Sequence, residues 1–346
     1  MPGHLRTLGR SGLLVSPFTL GTMTMGNEQW GSDRAASAAV LDAYLEAGGN
    51  AVDTADVYAG GRSEELLGEL LRERGARDDV VLATKYGFHA GGGALGGGAG
   101  RKHAVRSLEG SLRRLGTDAV DLYWLHVWDD VTPAEELLAT MVDLVRAGKV
   151  AHWGLSDVPA WFATQVAVLA AAHGVPGPVA LQVEYSLVAR TVEGEHVRAA
   201  RELGMGIVPW SPLAGGFLTG KYRRGERPGT GRLSGPNPFG DSKDTPQNWA
   251  VLDVLREVAG DLGLPPARVA LAWLLDRPGV DTVLVGARTP DQLAGNLAAA
   301  TAPLPDDARA RLDEASRPDL AFPGDLYSAR MMAAVITGGV PYRRLR

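Results

Sequence analysis

Among 346 residues there is no cysteine. That absence removes disulfide scaffolds, thiolate nucleophiles and cysteine-held zinc or iron–sulfur centres together, and it is compatible with a reducing compartment. Positive charge is not in excess either: 35 Lys and Arg face 40 Asp and Glu, a formal net charge of −5. A nucleic-acid binder needs a basic face to neutralise phosphates, and the pairs Arg223, Arg224 and Arg343, Arg344 are too isolated to make one. Long apolar runs are missing as well. No window approaches a membrane span, and the opening Met1-Pro2-Gly3-His4-Leu5-Arg6 carries no stretch of signal-peptide length. The expectation is a soluble, cytoplasmic chain with no nucleic-acid or membrane partner, and with room for a homo-oligomer.

What is present is a hydrophobic fraction of 45%, ample for a large core, beside an ordinary charged fraction of 22%. Short apolar runs at 18–20, 50–53, 80–85, 120–126, 150–155, 180–183, 206–210 and 282–285 read as strands. Segments with apolar residues at helical spacing lie between them, at 35–47, 63–72, 104–115, 134–147 and 159–172. Ser63 before Glu64 and Glu65 suits a helix start, as does Thr132-Pro133 before Glu135 and Glu136. Gly48, Gly75 and Gly148 stand where helices should stop. Strands alternating with helices imply a parallel sheet, and eight such units close a (β/α)8 TIM barrel, although the pattern also admits a doubly wound sheet. The expected organisation is a single α/β barrel domain over 1–346. A hairpin formed by 5–8 and 13–15 precedes it and plugs its bottom. A long loop at 211–248 follows the seventh strand, and 316–346 forms a C-terminal tail. The glycine-rich stretch 91–100 reads as a mobile surface loop: it lacks the Lys-Ser/Thr of a phosphate-binding loop.

Barrel chemistry sits at the C-terminal ends of the strands. There the second strand ends in Asp53, with Tyr58 five residues on, the third in Lys85 and the fourth in His126. The four make a coherent set. Hydride addition to a carbonyl builds charge on oxygen, which needs a proton donor and hydrogen bonds as it develops. A free phenol, with a pKa near 10, is a poor donor at neutral pH, but an adjacent ammonium favours its phenolate. An aspartate would keep that lysine charged and in place, and a histidine would hold the oxygen and orient the substrate.

Asp53, Tyr58 and His126 lie in motifs that resemble the aldo-keto reductases, and the resemblance runs over most of the chain. Leu8 to Leu13 (Leu-Gly-Arg-Ser-Gly-Leu) and Leu20 to Gly26 (Leu-Gly-Thr-Met-Thr-Met-Gly) are similar to that family's opening. Val52-Asp53-Thr54-Ala55-Asp56-Val57-Tyr58, followed by Ser63-Glu64 and Leu67-Gly68, is the most specific match. Residues 112–118, Asp121 to His126 and Gly148 to Ser156 continue it. The branch it is most similar to holds bacterial general-stress and sugar-related reductases and the potassium-channel β subunits. The resemblance implies an NADPH-dependent reductase of an aldehyde or ketone, with Asp53, Tyr58, Lys85 and His126 as its catalytic tetrad and no metal. By the same resemblance Gly21, Thr22 and Met23 pass the nicotinamide ribose. Ser156, Asp157 and Gln182 meet the carboxamide, with Asp53 alongside, and Trp210 stacks on the ring. Ser211, Pro212, Leu213, Gly215, Lys221 and Arg232 cover the pyrophosphate. Gly286, Arg288, Gln292 and Asn296 take the adenosine end, where a cation such as Arg288 selects the 2′-phosphate.

Two positions depart from the family pattern. Asp157 replaces the usual Asn (Arg in some branches) beside the carboxamide, so it can accept from the amide but cannot donate to it, and Gly295 replaces a frequent acidic residue. Trp30, Phe88 and Trp128 are the candidate substrate rim, and no arginine is placed to anchor an acidic substrate. A cofactor-binding regulatory subunit is the alternative function. His126 argues against it, because the channel subunits carry asparagine there. A Schiff-base lyase using Lys85 needs a depressed lysine pKa, which Asp53 opposes. A metal-dependent hydrolase lacks a His-x-His cluster on a strand end.

Overall fold

The computed structural model describes residues 5–27, 31–224, 243–320, 322–327 and 329–341; Trp30 and Arg232 lie outside them. Eight strands form one parallel sheet: β3 (Phe18–Gly21), β4 (Ala51–Asp53), β5 (Val81–Tyr86), β6 (Val120–Leu125), β7 (Val150–Ser156), β8 (Ala180–Glu184), β9 (Gly206–Trp210) and β10 (Val283–Val285). Their order is β10-β3-β4-β5-β6-β7-β8-β9. The two edges nearly meet, because the Ile207 N–H donates to Gly279 O at 2.8 Å and the Asp281 N–H to Ile207 O at 3.1 Å. Apolar residues face both ways from these strands, as a sheet covered on both sides requires. The fold is a (β/α)8 barrel, and the doubly wound alternative is excluded.

Helices α1 (Arg34–Glu46), α2 (Arg62–Arg74), α3 (Arg101–Leu115), α4 (Ala134–Arg146), α5 (Ala160–His173) and α6 (His196–Leu203) each follow a strand. The expected stop at Gly75 holds: it ends α2 with φ +62°. The long interval between β9 and β10 has a second cause besides the loop. Two helices fill it, α7 (Pro246–Leu262) and α8 (Pro266–Leu275), and α7 takes the last three residues of the segment expected to be loop. The Thr245 hydroxyl accepts from the Asn248 N–H at 3.1 Å, and Pro246 stands in the first turn, where its missing N–H costs nothing. After β10 come α9 (Pro290–Leu297), α10 (Asp306–Ala315) and α11 (Ala329–Thr337), so the tail carries a helix. Among the described residues no single helix is long and apolar enough to cross a membrane.

The hairpin, β1 (Arg6–Thr7) paired with β2 (Leu14–Val15), plugs the barrel floor as expected. Leu8 and Val15 join Ala51, Ala83, Leu122, Trp124, Ala180, Val208 and Leu284 in the core inside the barrel. The Gly9 N–H donates to Asp281 Oδ2 at 2.7 Å, and a Cβ at Gly9 would lie 2.3 Å from Val179 O. Gly154 on β7 makes room for the Trp124 indole, which a Cβ there would approach to 2.3 Å. Residues 91–95 are exposed, as a surface loop should be, but Gly96 and Ala99 are buried. The Gly98 N–H donates to Gly87 O at 2.8 Å, and Tyr86 Oη to Ala99 O at 3.1 Å. The far half of the glycine stretch is therefore pinned beneath the third barrel strand's exit, because small residues let the backbone itself reach partners there.

Candidate active site

Lys85 leaves the C-terminal end of β5 fully buried and gathers three acceptors. Its ammonium bonds Asp53 Oδ1, Thr54 O at 3.0 Å and Tyr58 Oη at 3.2 Å. Burial works against the cation, but the Asp53 carboxylate and the Tyr58 phenol outweigh it and hold Lys85 above its ordinary range. Burial pushes the Asp53 carboxyl up, while Lys85 and the Gln182 amide, whose Nε2 donates to Oδ2 at 3.1 Å, pull it back. With an ammonium in contact, the pair is an ion pair. His126, one residue past β6, sets its ring edge-on to Tyr58 at 5.8 Å and to Phe88 at 4.7 Å. Burial and the nearby Lys85 cation depress its pKa well below the usual histidine value, so the imidazole is neutral at pH 7. Its Nδ1 is buried without a partner among the described residues, which leaves Nε2 as the nitrogen that can meet a ligand. The structure thus brings Asp53, Tyr58, Lys85 and His126 together.

The turn that carries Tyr58 is contorted. Ala59, Gly60 and Gly61 all have positive φ, at +49°, +63° and +95°. Behind it lies a buried polar cluster. The Glu64 carboxylate accepts from Thr84 Oγ1 at 2.5 Å and from Arg114 Nε at 2.6 Å. Asp56 is buried beside them, and burial together with the Glu64 charge raises its carboxyl to about 7. Nothing in the residue types predicted this cluster, although Asp56, Glu64 and Arg114 each fall within a motif of the resemblance.

Across the mouth, the Trp210 indole N–H donates to Asp157 Oδ1 at 3.0 Å. Asp157 stands one residue past β7. It keeps solvent-facing surface, yet crowding by the protein raises its carboxyl to about 6, the Trp210 bond opposing. Ser156 Oγ is buried with no partner among the described residues. Thr22 is also buried; its hydroxyl is spent on Asp53 O and Ser63, its N–H on Asp53 O and its carbonyl on Met25 and Ser63, so it braces the turn between β3 and β4 from within. Past β9, Ser211 (φ +52°), Ala214 (+49°), Gly215 (+66°) and Gly216 (+93°) fold the chain into a tight arch over Pro212 and Leu213. The Lys221 ammonium reaches back over this arch, 3.1 Å from where a Gly216 Cβ would stand.

Gly286 lies against Gly21 O, which joins the ends of β10 and β3. Beyond it the Arg288 N–H donates to Gln292 Oε1 at 3.0 Å and Asn296 Nδ2 to Gly286 O at 3.5 Å, so these four also cluster, at the start of α9. Phe88 flanks His126 on the other side, and Trp128 follows two residues past it. Trp128 packs edge-on to Trp161 at 5.9 Å, a residue missed in the sequence, where an aromatic in a helix's first turn looks like core. Among the described residues no group of three metal-ligating side chains gathers anywhere.

The chain is similar to known proteins over most of its length. The profile of the Aldo/keto reductase family matches residues 17–317. A probable voltage-gated potassium channel subunit beta of Oryza sativa subsp. japonica is 38% identical, over 85% of this chain and 90% of the relative. Norsolorinic acid reductase B of Aspergillus parasiticus is 33% identical over 92% of this chain and 85% of its own length. An aryl-alcohol dehydrogenase of Pestalotiopsis microspora is 32% identical over 91% and 84%.

Proposed function

The chain belongs to the aldo/keto reductase family, and from that premise we propose that it is an NADPH-dependent reductase of an aldehyde or ketone, with Tyr58 as its proton donor. The observation that carries this reading is the buried Lys85 ammonium shared between Asp53 and Tyr58, beside the neutral His126. Relatives named as a reductase and a dehydrogenase support oxidoreductase chemistry on carbonyls. When bound, the reduced nicotinamide supplies the hydride. Tyr58 Oη gives a proton to the carbonyl oxygen, and the ammonium 3.2 Å away stabilises the phenolate left behind. Asp53 fixes Lys85, and Gln182 fixes Asp53. The imidazole of His126, uncharged, offers an N–H to the developing oxyanion without competing for its proton.

The residues around the mouth suit the cofactor. An unpartnered Ser156 hydroxyl and the Asp157 carboxylate stand where an amide would need an acceptor, Trp210 offers an indole face, and Lys221 and Arg288 supply cations for phosphates. We read 1–346 as one functional unit working in the cytoplasm on a small carbonyl compound, with the Ser211–Gly216 arch covering the cofactor. The channel-subunit relatives favour a second reading, a cofactor-holding regulatory protein with little turnover. A Schiff-base role for Lys85 is opposed by its raised pKa. Steady oxidation of NADPH with reactive aldehydes tests the first reading. Tyr58→Phe should lower turnover by about 10²–10⁴-fold while NADPH binding stays intact, and a variant within a few-fold of the parent would remove Tyr58 from the chemistry.

A further inference from the structure

The barrel order divides the mouth into two unlike sectors. Glycines, cations and the Ser211–Gly216 arch lie past β9, β10 and β3, whereas the exits of β5, β6 and β7 carry Phe88, Trp128 and Trp161. Trp161 stands in the first turn of α5 and is 58% exposed, although its neighbour Phe162 is 3% exposed and does the packing. An indole left in water forgoes a large apolar burial, since such a side chain can hide about 150–250 Å². It is not loosely placed. Trp161 meets Trp128 at 5.9 Å and 81°, and Phe162 at 5.7 Å and 89°. Trp128 in turn is tied to the site, its N–H donating to Asp157 O at 3.4 Å two residues after His126. On the near side of His126 the Phe88 ring is also edge-on, at 80°.

We infer that Trp128 and Trp161 form an aromatic platform for the substrate, and that the substrate is an aryl aldehyde or ketone whose ring extends this edge-to-face series. The inference rests on the reading of the site as a carbonyl reductase. A carbonyl held between Tyr58 and His126 has its substituent directed toward the β5–β7 sector, because the opposite sector is the polar one. A flat ring entering there meets Phe88 on one side and the indoles on the other. An alkyl chain would fill the same space without the edge-to-face gain, so the platform discriminates by shape and by ring electrostatics.

The test compares 2-naphthaldehyde with decanal, which has a similar carbon count, in the full chain and in Trp161→Ala and Trp161→Phe. The alanine variant should raise KM for the aryl aldehyde about threefold to tenfold at nearly constant kcat, and leave decanal within about twofold. Phenylalanine should restore most of the loss. Calorimetric titration of 2-naphthylmethanol into the chain, alone and saturated with NADPH, should show the same ranking without turnover. Equal effects on both aldehydes, no effect on either, or a change of oligomeric state in place of an aryl-specific loss would overturn the platform. If neither aldehyde is reduced, the reading of function fails, and the calorimetry alone decides whether the indoles hold an aryl ring.

Discussion

With a raised carboxyl facing Trp210, Asp157 is a charge that can be switched within the working range. A carboxylate beside a nicotinamide favours the cationic oxidised ring over the neutral reduced one. Its pKa of about 6 places that preference at higher pH: above about 6 the anion is present, and as pH falls through 6 it is lost. Asp157→Asn should therefore weaken NADP+ relative to NADPH at pH 8 and change their ratio little at pH 5. Titrating both forms at the two pH values checks it, and parallel changes would mean that the carboxylate is too well solvated to act. On the proposed reading, Arg288 meets the other end of the cofactor. Paired charge-assisted hydrogen bonds are worth about 1.5–3 kcal/mol, or roughly one to two orders of magnitude in affinity. Arg288→Ala should lose about that much NADPH affinity and leave NADH unmoved, as two dissociation constants will show.

At the scale of elements, the Tyr58 turn and the cluster behind it form one unit. Asp56 holds its proton up to about pH 7 in the folded chain but only to about 3.8 when unfolded. The folded form therefore binds the extra proton between those values. The stability it gives is complete below about 3.8 and is lost as pH rises through 7, at a slope approaching 1.4 kcal/mol per unit. Asp56→Asn should flatten this slope, measured as denaturant midpoints from pH 5 to 8; an unchanged slope would place the titration elsewhere.

The strands and their polar ends were legible because buried parallel strands write contiguous apolar runs, and a charge closing such a run stands out. Asp53, Lys85 and His126 were readable for that reason, and Tyr58 from the motif that runs on from Asp53. The Asp157–Trp210 bond was not, since its partners are far apart in sequence and on strands that are not neighbours. Nor was the burial of Thr22, whose hydroxyl finds its partners only once β3 and β4 are paired. Helix α8 was hidden by the loop-like composition just ahead of α7.

Across the whole molecule the two ends of the barrel are built differently. The floor is closed by the hairpin, where Gly9 has φ +56° and carbonyl oxygens crowd the space a Cβ would need. Gly9→Ala should destabilise the fold by roughly 1–3 kcal/mol through that overpacking, with KM unaltered in the protein that remains folded. Denaturant melts beside steady-state kinetics would show it, and a shift in KM would mean that the floor and mouth are coupled. The mouth, by contrast, holds all four of the described non-glycine residues with positive φ: Ala59, Asp157, Ser211 and Ala214. Each keeps the backbone in a conformation that glycine adopts more easily. A lineage selected only for survival in heat would find relief at these four places, and with each glycine it accepted it would loosen the arch, the end of β7 or the turn that carries Tyr58. Hardening the floor leaves the chemistry alone, so ancestry under heat and ancestry under substrate scarcity should leave their marks at opposite ends of the same barrel.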